Sequence, residues 1–180
     1  QFEYRFNSFG RRGQYWNFRQ VLHYVRPGAV RIGAGSDDGA IRPLAFEHNG
    51  AMTVVLRNTG GTQSVTVENM TPGDYGFCRS VGNGVYEELG IQTVGAGGTL
   101  AVSLAGNSIS TLYPYGGANL PPSVTEFRPG TDHLTLPASS TNLTVAAQDP
   151  ELDTITYKWS IASQPAGASA SIADPSAAQT

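Results

Sequence analysis

"HYVRPGAVRIGA", residues 23 to 34, joins two kinds of sequence, and its reading decides the fold. Upstream of it, Tyr15, Phe18, Leu22 and Val25 recur at i, i+3, i+7 and i+10, with Val21 beside them. That spacing is the apolar stripe of an amphipathic helix. Pro27 disfavours the α conformation at Arg26, so the helix is expected to end within a residue or two of that position. Gly28 can take the positive φ that a sharp turn needs. From Ala29 to Gly33 small or polar residues alternate with the β-branched Val30 and Ile32, and a strand begins. The stretch reads as a helix-to-sheet junction.

Downstream, short segments alternate with period two. In "AMTVVLRN" Met52, Val54 and Leu56 share one face; "SVTVEN" and "TLAVSLAG" repeat the pattern with Val65, Val67, Leu100, Val102 and Leu104. "PLAFEHN" is a less regular member and places Leu44 and Phe46 in the expected core. Asp38-Gly39, Asn49-Gly50, Gly60-Gly61, Pro72-Gly73, Asn83-Gly84 and Gly97-Gly98 separate these runs as turn dipeptides. About seven or eight strands at this spacing make an antiparallel sandwich.

"YPYGGANLPPS" then reads as an interdomain linker. A second strand series follows in "LTLP", "NLTVAAQ", "TITYKWSI" and "ASASIAD", with Tyr157 and Trp159 on one face. The fold class expected is all-β: two β-sandwich domains in series, with one N-terminal helix. The divisions expected are 1–27 for a strand-like segment and the helix, 28–114 for the first sandwich, 115–122 for the linker and 123–180 for the second. The second resembles an immunoglobulin-type sandwich, of which only about 60 residues are present where such a fold takes about 100. The chain reads as an internal piece of something longer.

Composition limits the function classes. The chain has 180 residues, a formal net charge of −3 and 14% charged residues, so no basic face is offered to nucleic acid or an anionic membrane. No apolar run is long enough to span a bilayer. Cys78 is the single cysteine, which excludes an intrachain disulfide and reads as a buried hydrophobe.

Two resemblances follow from the residues quoted. "YWNFRQVLHYVRPGAVRIGA", then "LAFEHNGAMTVVLRNTGGTQSVTVENM" and "GGTLAVSLAGNSISTL", resemble the C-terminal region of family 30 glycoside hydrolases over about residues 13 to 113. The resemblance implies that the helix is the last of a (β/α)8 catalytic barrel and that the sandwich packs on it. Arg26 and Arg31 would then hold the corner by hydrogen bonds. "AAQDPELDTITYKWSIASQPAGASASI" is similar to PKD-type Ig-like repeats of bacterial extracellular enzymes. Both resemblances imply a secreted or cell-surface protein.

Family 30 enzymes use two glutamates at barrel strand ends. Those strands would lie upstream of Gln1, so no residue here inherits either role. His23, His48 and His133 lack ligand spacing. The sequence therefore assigns no catalytic and no cofactor-binding residue, and reads as a non-enzyme. One constellation stands out: Asp149, Glu151 and Asp153 could offer hard oxygens to Ca²⁺, with Glu126 or Asp132 completing the shell. The competing reading is a polar turn in which Asp149 caps backbone donors. Calcium is the only cofactor suggested. Asn69 and Asn142 lie in N-glycosylation patterns.

Three functions compete. The first is a non-catalytic accessory and structural region of a secreted glycoside hydrolase, partnered by an upstream catalytic barrel. The second is a building block of an extracellular filament, in which copies join by strand addition. Phe2, Tyr4 and Phe6, alternating with Glu3 and Arg5, have the pattern of a donated strand. The third is a carbohydrate-binding module with a polysaccharide partner, which 9% aromatic residues, mostly at core-facing positions, disfavour.

Overall fold

The computed structural model describes residues 13–82, 85–131, 134–135, 137–164 and 166–180. The alternating segment at residues 2–6, Asp132 and His133 lie outside the described residues. The described chain is mostly β with one helix. Its elements are α1 (Gly13–Leu22), β1 (Val30–Ile32), β2 (Ile41–His48), β3 (Ala51–Asn58), β4 (Gln63–Val67) and β5 (Gly73–Val81). They continue with β6 (Val85–Val94), β7 (Leu100–Leu104), β8 (Ser108–Pro114), β9 (Ser123–Pro129) and β10 (Leu143–Gln148). The chain divides into two compact units. One runs from the start of α1 to Pro121 and also takes Asp149–Asp153; the other holds Pro122–Gln148 and Thr154–Thr180.

The helix ends at Leu22, earlier than the expected end at Arg26, while the turn at Pro27-Gly28 forms as its sequence requires. His23 N–H donates to the Arg19 carbonyl at 3.0 Å and Val25 N–H to Val21 at 2.9 Å, so helical bonding persists to Val25. Pro27 follows, Gly28 sits at φ 85°, and Ala29 N–H closes the turn on the Arg26 carbonyl at 3.0 Å. A side chain at Gly28 would be strained at that φ.

In the first unit, β1-β2-β3-β8-β5-β6 form a six-stranded sheet and β4-β7 a second, smaller one. Every pairing is antiparallel. Between the two sheets lies a core of Ile41, Val54, Leu56, Tyr75, Phe77, Val94, Val102, Leu104 and Leu112. Leu104 and Leu112 are fully buried, and Val65, Val67 and Leu100 pack on this core half-buried. Strand β3 is buried on both faces, because Thr53 and Val55 point away from the core yet are also covered.

On that face of the sheet α1 packs against β5, β6 and β8, and the Tyr24 carbonyl just beyond it meets Thr53; here the sequence expectations need correction. Trp16, Gln20 and Tyr24, at i, i+4 and i+8, are the buried face of the helix. The stripe read from sequence is the outer one: Tyr15 is 44% exposed, Phe18 63% and Leu22 77%. The two sets lie about 180° apart on a helical projection. On β2 the inward residues are Ile41 and Ala45, whereas Leu44 and Phe46 are only half-buried. Register explains it: Ala45 pairs with Val54 and Leu44 with Val55, so Leu44 and Phe46 share the opposite face of the sheet from the inter-sheet core.

Gly76 on β5 is required by close packing, since a Cβ there would fall on the Tyr113 ring.

The second unit is thinner. Its described residues contain one two-stranded antiparallel sheet, β9 with β10, bulged between Ala146 and Ala147, and an isolated bridge from Thr144 to Gln179. The strands expected in "TITYKWSI" and "ASASIAD" do not form among the described residues, and Tyr157 and Trp159 are half-buried rather than core. Trp159 N–H donates to the Pro175 carbonyl at 2.8 Å, its indole N–H donates to Ala177 at 2.8 Å, and its ring stacks on Phe127 at 6.0 Å. Pro175 has no N–H to return the bond, so a two-way ladder cannot propagate through that pair.

Candidate functional site

The layer between α1 and the six-stranded sheet concentrates the chain's buried polar chemistry. Its apolar part is aromatic: Trp16 stacks on Tyr86 at 4.9 Å and Tyr24 on Tyr113 at 4.2 Å. The Arg19 guanidinium lies 4.7 Å from the Tyr86 ring centroid, a cation–π arrangement. Gln20, fully buried, is the hub. Its Nε2 donates to Ser80 Oγ at 2.9 Å, and its Oε1 accepts from Thr111 Oγ1 at 2.7 Å and from Cys78 Sγ at 3.3 Å. Ser80 Oγ in turn donates to the Trp16 carbonyl at 2.8 Å, and Thr53 Oγ1 reaches the Tyr24 carbonyl at 3.4 Å. The sheet thus grips backbone and side chain of α1 together.

A second chain of bonds runs from the Tyr24 hydroxyl to that of Tyr86 at 2.5 Å, and from Tyr86 to the Glu88 carboxylate. Because Tyr86 donates to Glu88, its oxygen accepts from Tyr24. Burial raises both phenols above their ordinary range and pushes the Cys78 thiol up to about 12. Burial also raises the Glu88 carboxyl, against the hydrogen bond from Tyr86 and the Arg19 charge, which lower it. With Cys78 enclosed and protonated, and the phenols neutral, the layer presents no nucleophile and no base to solvent. Its chemistry is that of a buried hydrogen-bonded network, which fixes the position of the helix.

The residues chosen from sequence are arranged differently. Asp149 is buried, and its Oδ1 accepts from the amides of Glu151 at 2.9 Å and Asp153 at 3.1 Å. Glu151 Oε1 accepts from the Leu120 amide at 3.2 Å, while Asp153 is exposed. These contacts are those of the capped turn. Among the described residues no group of three His, Cys, Asp or Glu side chains gathers as a metal ion would require. Glu126 pairs with Arg128 at 2.7 Å. Arg26 and Arg31 are exposed, as are Asn69 and Asn142. Nothing in the apolar pattern marked Gln20, although the aromatic pair Trp16 and Tyr24 that flanks it at helical spacing was a usable signal.

No protein-family model matches the sequence, and no curated protein matches it either. Solved structures do. A family 30 endoxylanase of Clostridium papyrosolvens C71 matches with a TM-score of 0.51 and 17% identity, over 56% of this chain and 27% of that enzyme. A family 30, subfamily 8 xylanase of Clostridium acetobutylicum matches with a TM-score of 0.50 and 18% identity, over 56% and 27%. Over the matched part, a little more than half of its length, this chain therefore shares the fold of part of the family 30 glycoside hydrolases, as the junction and hairpin motifs implied. It spans about a quarter of the length of these enzymes. Among the described residues, no helix is long and apolar enough to cross a membrane.

Proposed function

We propose that α1 and its sandwich are a non-catalytic accessory region of a secreted glycoside hydrolase that acts on a xylan-type polysaccharide. The exposed face of α1 is the observation that carries this reading. Tyr15, Phe18 and Leu22 form an apolar strip directly opposite the face that the sandwich buries. An exposed apolar strip on a helix whose other face is already buried is a surface that a second body can cover. The second body in this reading is a catalytic barrel, and the fold shared with family 30 enzymes supports it. Two of the acids are held away from a polysaccharide: Glu88 is enclosed under α1, and Glu151 is engaged in the turn at Leu120.

The test compares two lengths of the same protein. Phe18→Glu with Leu22→Glu should leave the melting temperature of the 180-residue chain within a degree or two, since both residues are exposed there. In the longer natural polypeptide the same pair should lower both melting temperature and xylan turnover. Equal indifference in both lengths would overturn the docking role. Turnover of xylan by the pure 180-residue chain, lost on mutating one of its own acids, would overturn the accessory role.

A further inference from the structure

The hairpin between β2 and β3 turns on two residues, Asn49 and Gly50, since His48 pairs with Ala51 across it. Both are exposed, and both take positive φ, 52° at Asn49 and 79° at Gly50, as such a turn requires. An Asn followed by Gly is a chemically labile pair. With no Cβ on the second residue, its backbone nitrogen can approach the Asn carboxamide carbon closely. Two side chains stand on the atoms that such an approach would bring into reaction. Glu47 Oε1 accepts from the Gly50 amide at 2.6 Å, and Gly50 lies beyond the last pair of the strand ladder. Asn49 Nδ2 donates to His48 Nε2 at 3.2 Å. The imidazole is itself backed by the Gly28 turn, where a Cβ would stand 3.7 Å from its Cε1.

The bland role of Glu47 is to satisfy an amide that the ladder leaves over. The same contact has a second consequence, because a carboxylate in hydrogen-bond reach of an N–H is placed to take its proton. We propose that Asn49 is a site of spontaneous covalent modification, with Glu47 as its general base. Glu47 Oε1 takes the proton of Gly50 N as that nitrogen bonds to Asn49 Cγ. The Cγ–Nδ2 bond then breaks, and the nitrogen leaves as ammonia carrying that proton. Water opens the resulting succinimide at either carbonyl, leaving aspartate or isoaspartate at position 49. Nothing is oxidised or reduced, and water is the only co-reactant. Either product sets a new carboxylate close to Glu47. Isoaspartate also adds a methylene to the backbone of a turn built for two residues, which loosens the pairing of β2 with β3 at that end. This inference does not rest on the accessory reading.

The test incubates the 180-residue chain at neutral pH and follows residue 49 by peptide mapping with mass spectrometry and an isoaspartate methylation assay. Asn49 should convert steadily in the folded chain. Glu47→Gln should slow that conversion about tenfold or more. Glu47→Asp keeps the charge but shortens its reach, and should slow it in the same way. A melting temperature for each variant shows that the comparison is made on folded protein. In concentrated urea, where the turn is lost, all three chains should convert at one rate. Absence of conversion at Asn49 in the folded natural chain would overturn the site. Equal rates for the folded natural chain and both variants, or a slowing that persists unchanged in urea, would overturn the base.

Discussion

The two units of this chain are both β, but they hold their aromatic residues in different ways. In the first unit Trp16, Tyr24, Tyr86 and Tyr113 are enclosed between a helix and a six-stranded sheet, and the hydroxyls of Tyr24 and Tyr86 are joined in a hydrogen-bonded chain that ends on Glu88. In the second, Trp159 and Phe127 stack beside a two-stranded sheet, with Trp159 half-buried and Phe127 62% exposed. Aromatic side chains stabilise in proportion to the area that their neighbours remove from water, so similar residues are worth less in the second unit. Layers, not residue types, separate the two.

The largest effect should come from the inter-sheet core. Leu112→Ala removes a side chain that is fully buried on the central strand β8, where collapse is hindered from both sides. A loss of about 3–4 kcal/mol is expected, read as a lowered urea midpoint for the first unit. A loss below about 1 kcal/mol would mean that the core is not closed as described. Next comes the helix-facing layer: Gln20→Ala strands Ser80, Thr111 and Cys78 without their shared partner. It should cost about 2 kcal/mol, and the same Ala substitution at exposed Gln14 should cost almost nothing.

Trp159→Ala should cost the second unit about 1 kcal/mol, for a half-buried ring and one indole hydrogen bond, and should leave the first unit's transition in place. A cost as large as that of Leu112→Ala would erase the contrast between the units.

The smallest expected effect is a dependence on pH. Burial raises the Glu88 carboxyl above its ordinary value of 4.5, with Arg19 and the Tyr86 hydroxyl lowering it and Asp149 and Glu151 raising it further. The folded state therefore keeps this proton after the unfolded chain has released it. Its contribution is fully present below pH 4.5 and is lost as pH rises through the folded value. Glu88→Gln cannot ionise, so its stability relative to the natural chain should climb between acid and neutral pH. A flat difference across that range would show that Glu88 is solvated when the protein is folded.

Much of the local structure was settled by the sequence alone. The turn at Arg26-Pro27-Gly28 and the Asn49-Gly50 hairpin follow from steric rules acting within a few residues. So does the alternation of β3, because Val54 and Leu56 obey a period that any strand must have. Only the tertiary structure decided which face of α1 would be buried. The helix carries apolar residues at Tyr15, Phe18 and Leu22 and an aromatic-polar set at Trp16, Gln20 and Tyr24, and hydrophobicity ranked the first set higher. The sheet surface carries Ser80, Thr111, Cys78 and Glu88, and only a polar helix face can satisfy those groups once water is excluded. Such partners lie about sixty to ninety residues away along the chain, for Ser80 and Thr111 at 60 and 91. A window of local pattern carries no information about them. The same reason placed Leu44 and Phe46 on the outer face of β2: alternation shows that two sets exist, and only pairing with β3 says which set meets the core.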